Sequence, residues 1–110
     1  MSEISTLAGN LDRAQLIAEL NDMKPAFVRL GVTGLALFGS RARGDNRADS
    51  DIDLLADVDP GRKFSLLDLV AVSHLVEDRF GLPANVFLRR SLDPDFERSA
   101  RTDETVVFRD

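Results

Sequence analysis

The sequence predicts an α+β fold, a small mixed β-sheet with helices packed on one side. Between Leu11 and Leu30 apolar residues recur at steps of three and four, which is a helical period. Two short β-type runs follow at 33–38 and 51–58, and a second helical stretch at 66–80 separates them from a third strand pattern at 84–89. The order helix, strand, strand, helix, strand suits one mixed sheet, and a chain of 110 residues suits a single domain over 1–110.

In the first helix Leu11, Ala14, Ile17, Leu20, Met23, Phe27 and Leu30 draw one stripe, with Asn10 as N-cap, Pro25 as a kink and Gly31 as the stop. Residues 33–38 form a mostly buried strand that runs into a Gly39-Ser40 turn and a short helix. Residues 45–50 are polar and aperiodic, a loop. The next strand, 51–58, alternates acids with Ile52 and Leu54, so its carboxylates share a face. Asp59-Pro60-Gly61 turns the chain, Ser65 caps the helix at 66–80, and Gly81 with Pro83 closes it. A loop at 91–95 containing Pro94 leads to a last short helix, and 105–108 is either a final edge strand or an extended tail.

Composition narrows the chemistry. With 44% hydrophobic and 30% charged residues the chain is an ordinary globular protein, and no apolar run approaches the roughly eighteen residues of a spanning helix, so no membrane partner is expected. Met1-Ser2-Glu3 opens acidic and has no apolar block behind it, which predicts a cytosolic protein without a signal peptide. Zero cysteines exclude disulfides and thiolate zinc sites, and the single His74 excludes a histidine-rich metal cluster, so carboxylates are the expected metal ligands. His74 itself reads as an exposed or capping residue. A net charge of -5 argues against direct nucleic-acid binding through counterion release.

The local sign near 41–47 is opposite, because Arg41, Arg43 and Arg47 cluster there. Asp51 and Asp53 lie at i and i+2 on a strand, roughly 6 to 7 Å apart on one face. At an effective dielectric near 20 two ionised carboxylates at that distance repel by about 2 to 3 kcal/mol, which favours capture of a cation, and oxygen-only ligands favour Mg²⁺. An isolated Asp-x-Asp pair is most often a solvated strand edge; Gly39-Ser40 ten residues ahead of it changes that reading. Gly39 lets the backbone approach a phosphate, and the Ser40 hydroxyl and following amides can donate to it. Arg41 and Arg43 have two possible roles, as phosphate donors or as surface charges pairing with Asp45 and Asp49.

The run Phe38-Gly39-Ser40-Arg41-Ala42-Arg43-Gly44, then Ser50-Asp51-Ile52-Asp53-Leu54-Leu55, resembles the minimal nucleotidyltransferase family, small relatives of the polymerase-β palm. The signature of that family is Gly-Ser, a ten-residue gap and Asp-x-Asp. The resemblance implies a polymerase-β-like fold, Gly39 and Ser40 on the distal phosphates of ATP, and Asp51 and Asp53 as catalytic ligands of two Mg²⁺ ions. Active members carry a third carboxylate on the next core strand, where this chain has Asn85, which cannot act as a base. General-base assistance is a factor of roughly 10² to 10⁴, so its loss predicts slow or absent turnover. Asp93 or Asp95 from the following loop is the candidate replacement.

Small single-domain members of the family are commonly antitoxins paired with a HEPN-domain ribonuclease toxin, and active ones transfer AMP from ATP to a toxin tyrosine. This chain has no tyrosine, so such an acceptor lies on another molecule. Three functions follow from the resemblance: an AMP-transferring antitoxin, an antitoxin that acts by binding alone, and transfer to a small molecule, for which the extra helical domain of larger members is missing. The helix at 66–80 carries more apolar circumference than one small sheet can bury, which suits a protein partner. Arg89 and Arg90 read as a solvated charge pair, with phosphate or toxin contact as the alternative.

Overall fold

Four strands in a single sheet set the architecture. A computed structural model of the protein describes residues 10–109; the Met1-Ser2-Glu3 start lies outside the described residues. Strands β1 (Val32–Phe38), β2 (Ile52–Val58), β3 (Ala84–Leu88) and β4 (Thr105–Arg109) form one sheet in the order β3-β2-β1-β4. Strand β1 runs antiparallel to both β2 and β4, whereas β2 and β3 are parallel. A parallel pair needs a crossover, and the longest helix of the described chain supplies it between β2 and β3. Residues 105–109 are thus an edge strand on β1, which decides between the two readings of that segment.

The main core lies on one face of the sheet. There Leu35 and Leu37 of β1 and Ile52, Leu54 and Ala56 of β2 meet helices α1 (Arg13–Asp22), α2 (Lys24–Arg29) and α4 (Leu66–Phe80). Leu16, Leu20, Phe27, Val72 and Val76 are the fully buried contributions from those helices. Two short elements complete the list: α3 (Ser40–Arg43) after β1, and α5 (Pro94–Asp103) before β4.

Helix α5 departs from the expected arrangement. It lies on the other face, where its Ala100 packs with Ala36, Phe38 and Leu55. Helices therefore cover one face through α1, α2 and α4 and part of the second through α5. No helix among the described residues is long and apolar enough to cross a membrane.

The first expected helix is two helices joined at Met23. Pro25 lacks the amide needed to continue the first ladder, yet it is tolerated in the opening turn of the next, so the break falls just before it. The N-cap is Asp12 rather than Asn10: its Oδ1 accepts from the Gln15 amide at 2.8 Å while Gln15 Oε1 accepts from the Asp12 amide at 2.9 Å. The buried stripe correspondingly runs Leu16, Leu20, Met23, Phe27, with Ala14 exposed. Helix α4 follows the sequence reading, with Ser65 and Asp68 in a reciprocal capping box and Gly81 closing it at φ 68°.

Candidate active site

The open end of β1 and β2 is built around a glycine. Gly39 has φ 75°, a conformation that side chains disfavour, and a Cβ at that position would lie 2.4 Å from Asp53 Oδ2. The chain turn is therefore seated directly against a carboxylate, and any side chain there would push one of them away. Asp53 is the cross-strand partner of Phe38 on β1 and of Asn85 on β3, so the turn, the acid and the amide stand side by side on neighbouring strands.

Asn85 joins the two acids. Its Nδ2 donates to Asp51 Oδ2 at 3.1 Å and to Asp53 Oδ1 at 2.9 Å. Asp51 precedes the first residue of β2 and is exposed, whereas Asp53 is half-buried. The backbone under this cluster is pinned on both sides: the Ile52 amide donates to the Pro83 carbonyl at 2.9 Å, and the Ala84 amide to Glu77 Oε2 at 3.0 Å. Among the described residues no three His, Cys, Asp or Glu side chains converge, so neither Asp93 nor Asp95 completes the pair. Asp95 is instead ion-paired with Arg98.

The donor set nonetheless fits a hard cation. Two carboxylates converge close enough for one nitrogen to bond both, and the amide that bridges them carries an oxygen that a half-turn would present. Ser40 opens helix α3 beside them, and Gly44 closes that helix at φ 87°. Arg13 Nη1 donates to the Ala42 carbonyl at 3.0 Å and fastens α3 to the first helix.

The two motif arginines behave differently. Arg41 is only 2% exposed, so the expected phosphate contact is corrected for this residue. Its Nε and Nη2 both donate to the Ser50 carbonyl, at 3.0 and 2.9 Å, and Nη2 also reaches the carbonyls of Arg47 and Ala48 at 3.3 and 3.2 Å. The guanidinium thus clamps the loop that delivers Asp51. Burial draws its pKa below the ordinary arginine value, opposed by the nearby charges of Asp49 and Asp51. Arg43 is half-exposed and pairs with Asp45 at 3.2 Å and Asp103 at 3.0 Å; hydrogen bonds to these acids raise its pKa. Its partner besides Asp45 is Asp103, from α5, rather than Asp49.

Arg89 is not a solvated charge. Its side chain, 19% exposed, donates to Asp57 Oδ1 at 3.1 Å and grips Glu104 with two bonds of 3.1 and 2.6 Å, and Glu97 lies 3.7 Å away. The Glu104 bonds are the main cause of its raised pKa. A surface depression of about 640 Å³ opens over this cluster at the other end of β2, which shows that size alone does not mark the motif site. Three acids around one guanidinium make this a structural network joining β2, α5 and the residue that leads into β4. His74 is exposed on α4, as expected.

Two apolar features flank the acids. Phe38, Phe87 and Phe96 contact one another with ring centroids 5.5 to 6.1 Å apart, on the face that carries Asp53 and Asn85. A shallow depression lined by Asn85, Leu69, Val70, Ser73 and Phe87 runs between β3 and the early turns of α4. There Leu66 is 75% exposed and Leu67 80%.

Residues 14–108 match the family described as the nucleotidyltransferase domain. A relative in Methanocaldococcus jannaschii, named as a putative protein adenylyltransferase, is 34% identical over 79 residues, which span 68% of this chain and 83% of that protein. The protein adenylyltransferase MntA of Thermococcus cleftensis is 34% identical over 64 residues, 58% of this chain and 63% of the relative. Among solved structures, one described as a putative minimal nucleotidyltransferase superposes with a TM-score of 0.72 at 29% identity, covering 87% of this chain and 96% of that one. A second is the complex of the tri-AMPylated Shewanella oneidensis HEPN toxin with an MNT antitoxin, with TM-score 0.58, 14% identity and coverage of 84% and 72%. At that identity the likeness concerns the fold alone. With the Gly39-Ser40 turn against Asp53 and Asp51 alongside, the chain belongs to the nucleotidyltransferase domain family, as a minimal nucleotidyltransferase of the MntA type.

Proposed function

We propose that the protein is an antitoxin that neutralises a HEPN ribonuclease toxin by Mg²⁺-dependent transfer of AMP from ATP to a toxin tyrosine. The observation that carries this reading is the close seating of the Gly39 turn against the Asp53 carboxylate, with Asp51 bridged to Asp53 by Asn85. The relatives named as protein adenylyltransferases and the AMPylated HEPN complex support the choice of reaction and partner.

In this reading Gly39 and Ser40 hold the distal phosphates, and Asp51 and Asp53 hold Mg²⁺ through their carboxylate oxygens. The metal supplies charge neutralisation on the triphosphate and its departing pyrophosphate. The tyrosine oxygen forms a bond to the α-phosphorus as the bond to the bridging oxygen breaks, and pyrophosphate leaves. Asn85 cannot accept the phenolic proton, which passes to solvent. Arg43 is free to exchange Asp45 for a phosphate, since both its ion pairs are at the surface.

Asn85 favours a second reading, in which the protein blocks its partner by contact with little or no chemistry. The exposed Leu66 and Leu67 supply a surface for either form of partnership. The test is to incubate the purified protein with labelled ATP, Mg²⁺ and the HEPN protein from the neighbouring gene, and to look for a mass gain of AMP on that partner. Loss of both mass gain and neutralisation in an Asp51→Asn, Asp53→Asn double variant supports transfer. Neutralisation that persists in that variant without any mass gain establishes the binding reading.

A further inference from the structure

Resting on the reading of Asp51 and Asp53 as metal ligands, we propose that Asn85 is a built-in stand-in for the cation. Its amide keeps free divalent metal out of the cleft, so that the ion enters only together with a triphosphate. A primary amide offers two N–H donors, and here each carboxylate takes one, at 3.1 and 2.9 Å. The shared nitrogen stands between the two carboxylates that would hold a cation. Among the described residues no lysine, arginine or histidine forms an ion pair with either acid. The Arg41 guanidinium acts on Asp51 alone and through space, so the amide is the group that bonds both acids at once.

The position of Asn85 is fixed by backbone rather than by chance. It stands in register with Asp53 on the parallel neighbour, and the adjoining backbone is tied to Pro83 and Glu77. Its side chain is exposed and can turn. Turning presents Oδ1 in place of Nδ2 and surrenders both charge-assisted bonds, a loss that free Mg²⁺, strongly hydrated and facing two carboxylates instead of three, recovers poorly. A nucleotide-bound ion brings phosphate oxygens that complete its shell, so the exchange becomes favourable. A carboxylate at this position would act in the opposite sense, attracting free metal.

The experiment is titration of the full chain with Mn²⁺ alone, followed by electron paramagnetic resonance of the free ion. The expected order of affinity is Asn85→Asp, then Asn85→Ala, then the unaltered chain. Removing the amide tightens binding about threefold, and adding a charge about tenfold or more. If Asn85→Ala binds Mn²⁺ no more tightly than the unaltered chain, the amide is a ligand or a bystander and the proposal is overturned. The same titration with a nonhydrolysable ATP analogue separates this outcome from failure of the underlying site. Metal–nucleotide binding that is indifferent to Asp53→Asn removes Asp53 from the metal site altogether, whatever the Asn85 variants do.

Discussion

Strand β2 presents the two faces of the molecule side by side. On one, Ile52, Leu54 and Ala56 are sealed beneath α1, α2 and α4; on the other, Asp53 and Asp57 remain half-open with Leu55 between them. The closed face is held by apolar area. The open face is stapled by polar bonds from Arg89 and Asn85, with only a small apolar cluster beneath α5, and the loop that leads into it is held by Arg41. The difference teaches that in this sheet stability and chemistry are divided by the pleat, residue by residue along a single strand.

Two variants one residue apart give the largest contrast. Leu54 is fully buried, so Leu54→Ala is expected to lower the unfolding free energy by about 2 to 5 kcal/mol, a large part of the stability of a domain of this size. Asp53→Asn is expected to change it by about 1 kcal/mol or less, because relief of acid–acid repulsion offsets a weakened hydrogen bond, while the proposed metal–nucleotide binding is expected to be abolished. Urea unfolding and nucleotide titration on both variants measure the pair. Equal destabilisation by the two would break the division between faces.

Arg41 tests whether the loop that delivers Asp51 to the open face has a framework of its own. Its guanidinium satisfies the carbonyls of Arg47, Ala48 and Ser50, and removing it leaves acceptors next to Asp51 without a donor. Arg41→Met is expected to cost about 1 to 3 kcal/mol of stability and to weaken metal–nucleotide binding at the same time. Arg41→Lys rescues neither, since a single ammonium cannot reproduce a planar fork that reaches three carbonyls. Lost stability with unchanged nucleotide binding would show that the clamp holds the loop but does not position Asp51.

These contrasts follow the line between what the sequence discloses and what it conceals. Helix α4 was legible because its determinants are local: a Ser65–Asp68 capping box at one end and Gly81 at the other. The Gly39-Ser40 turn and the two acids were legible because a fixed spacing brings them together at the ends of adjacent strands. The fate of Arg41 was not, because its partners lie six to nine residues away in an aperiodic loop, and nothing local distinguishes an inward guanidinium from a phosphate donor. Arg89 reads as solvated from the sequence for the same reason, since its hydrogen-bond partners are 15 and 32 residues distant. The placement of α5 on the second face depends on a small contact through Ala100, too slight a signal in a mostly polar helix.

A smaller effect on folding is expected at the exposed start of α4. Leu67→Lys replaces a side chain that is 80% exposed, so stability should stay within about 0.5 kcal/mol of the unaltered chain. Affinity for the proposed HEPN partner, measured by calorimetry, should fall clearly if this apolar turn docks it. Unchanged affinity would move the interface elsewhere and leave Leu66 and Leu67 without a role.

The smallest effect concerns acid. The Asp68 carboxyl is held below its ordinary value of 3.8, first by the Ser65 amide and then by the Ser65 hydroxyl. A folded-state pKa depressed below the unfolded one means that the ionised form favours the fold. Its contribution is therefore complete above the ordinary value and fades as pH falls through the lower folded value. Asp68→Asn should flatten that part of the acid limb in a melting-temperature profile while leaving the neutral-pH profile of nucleotide binding unchanged. A shift in nucleotide binding would instead mean that the cap of α4 and the acids of the open face are mechanically connected through β3, against the separation argued from β2.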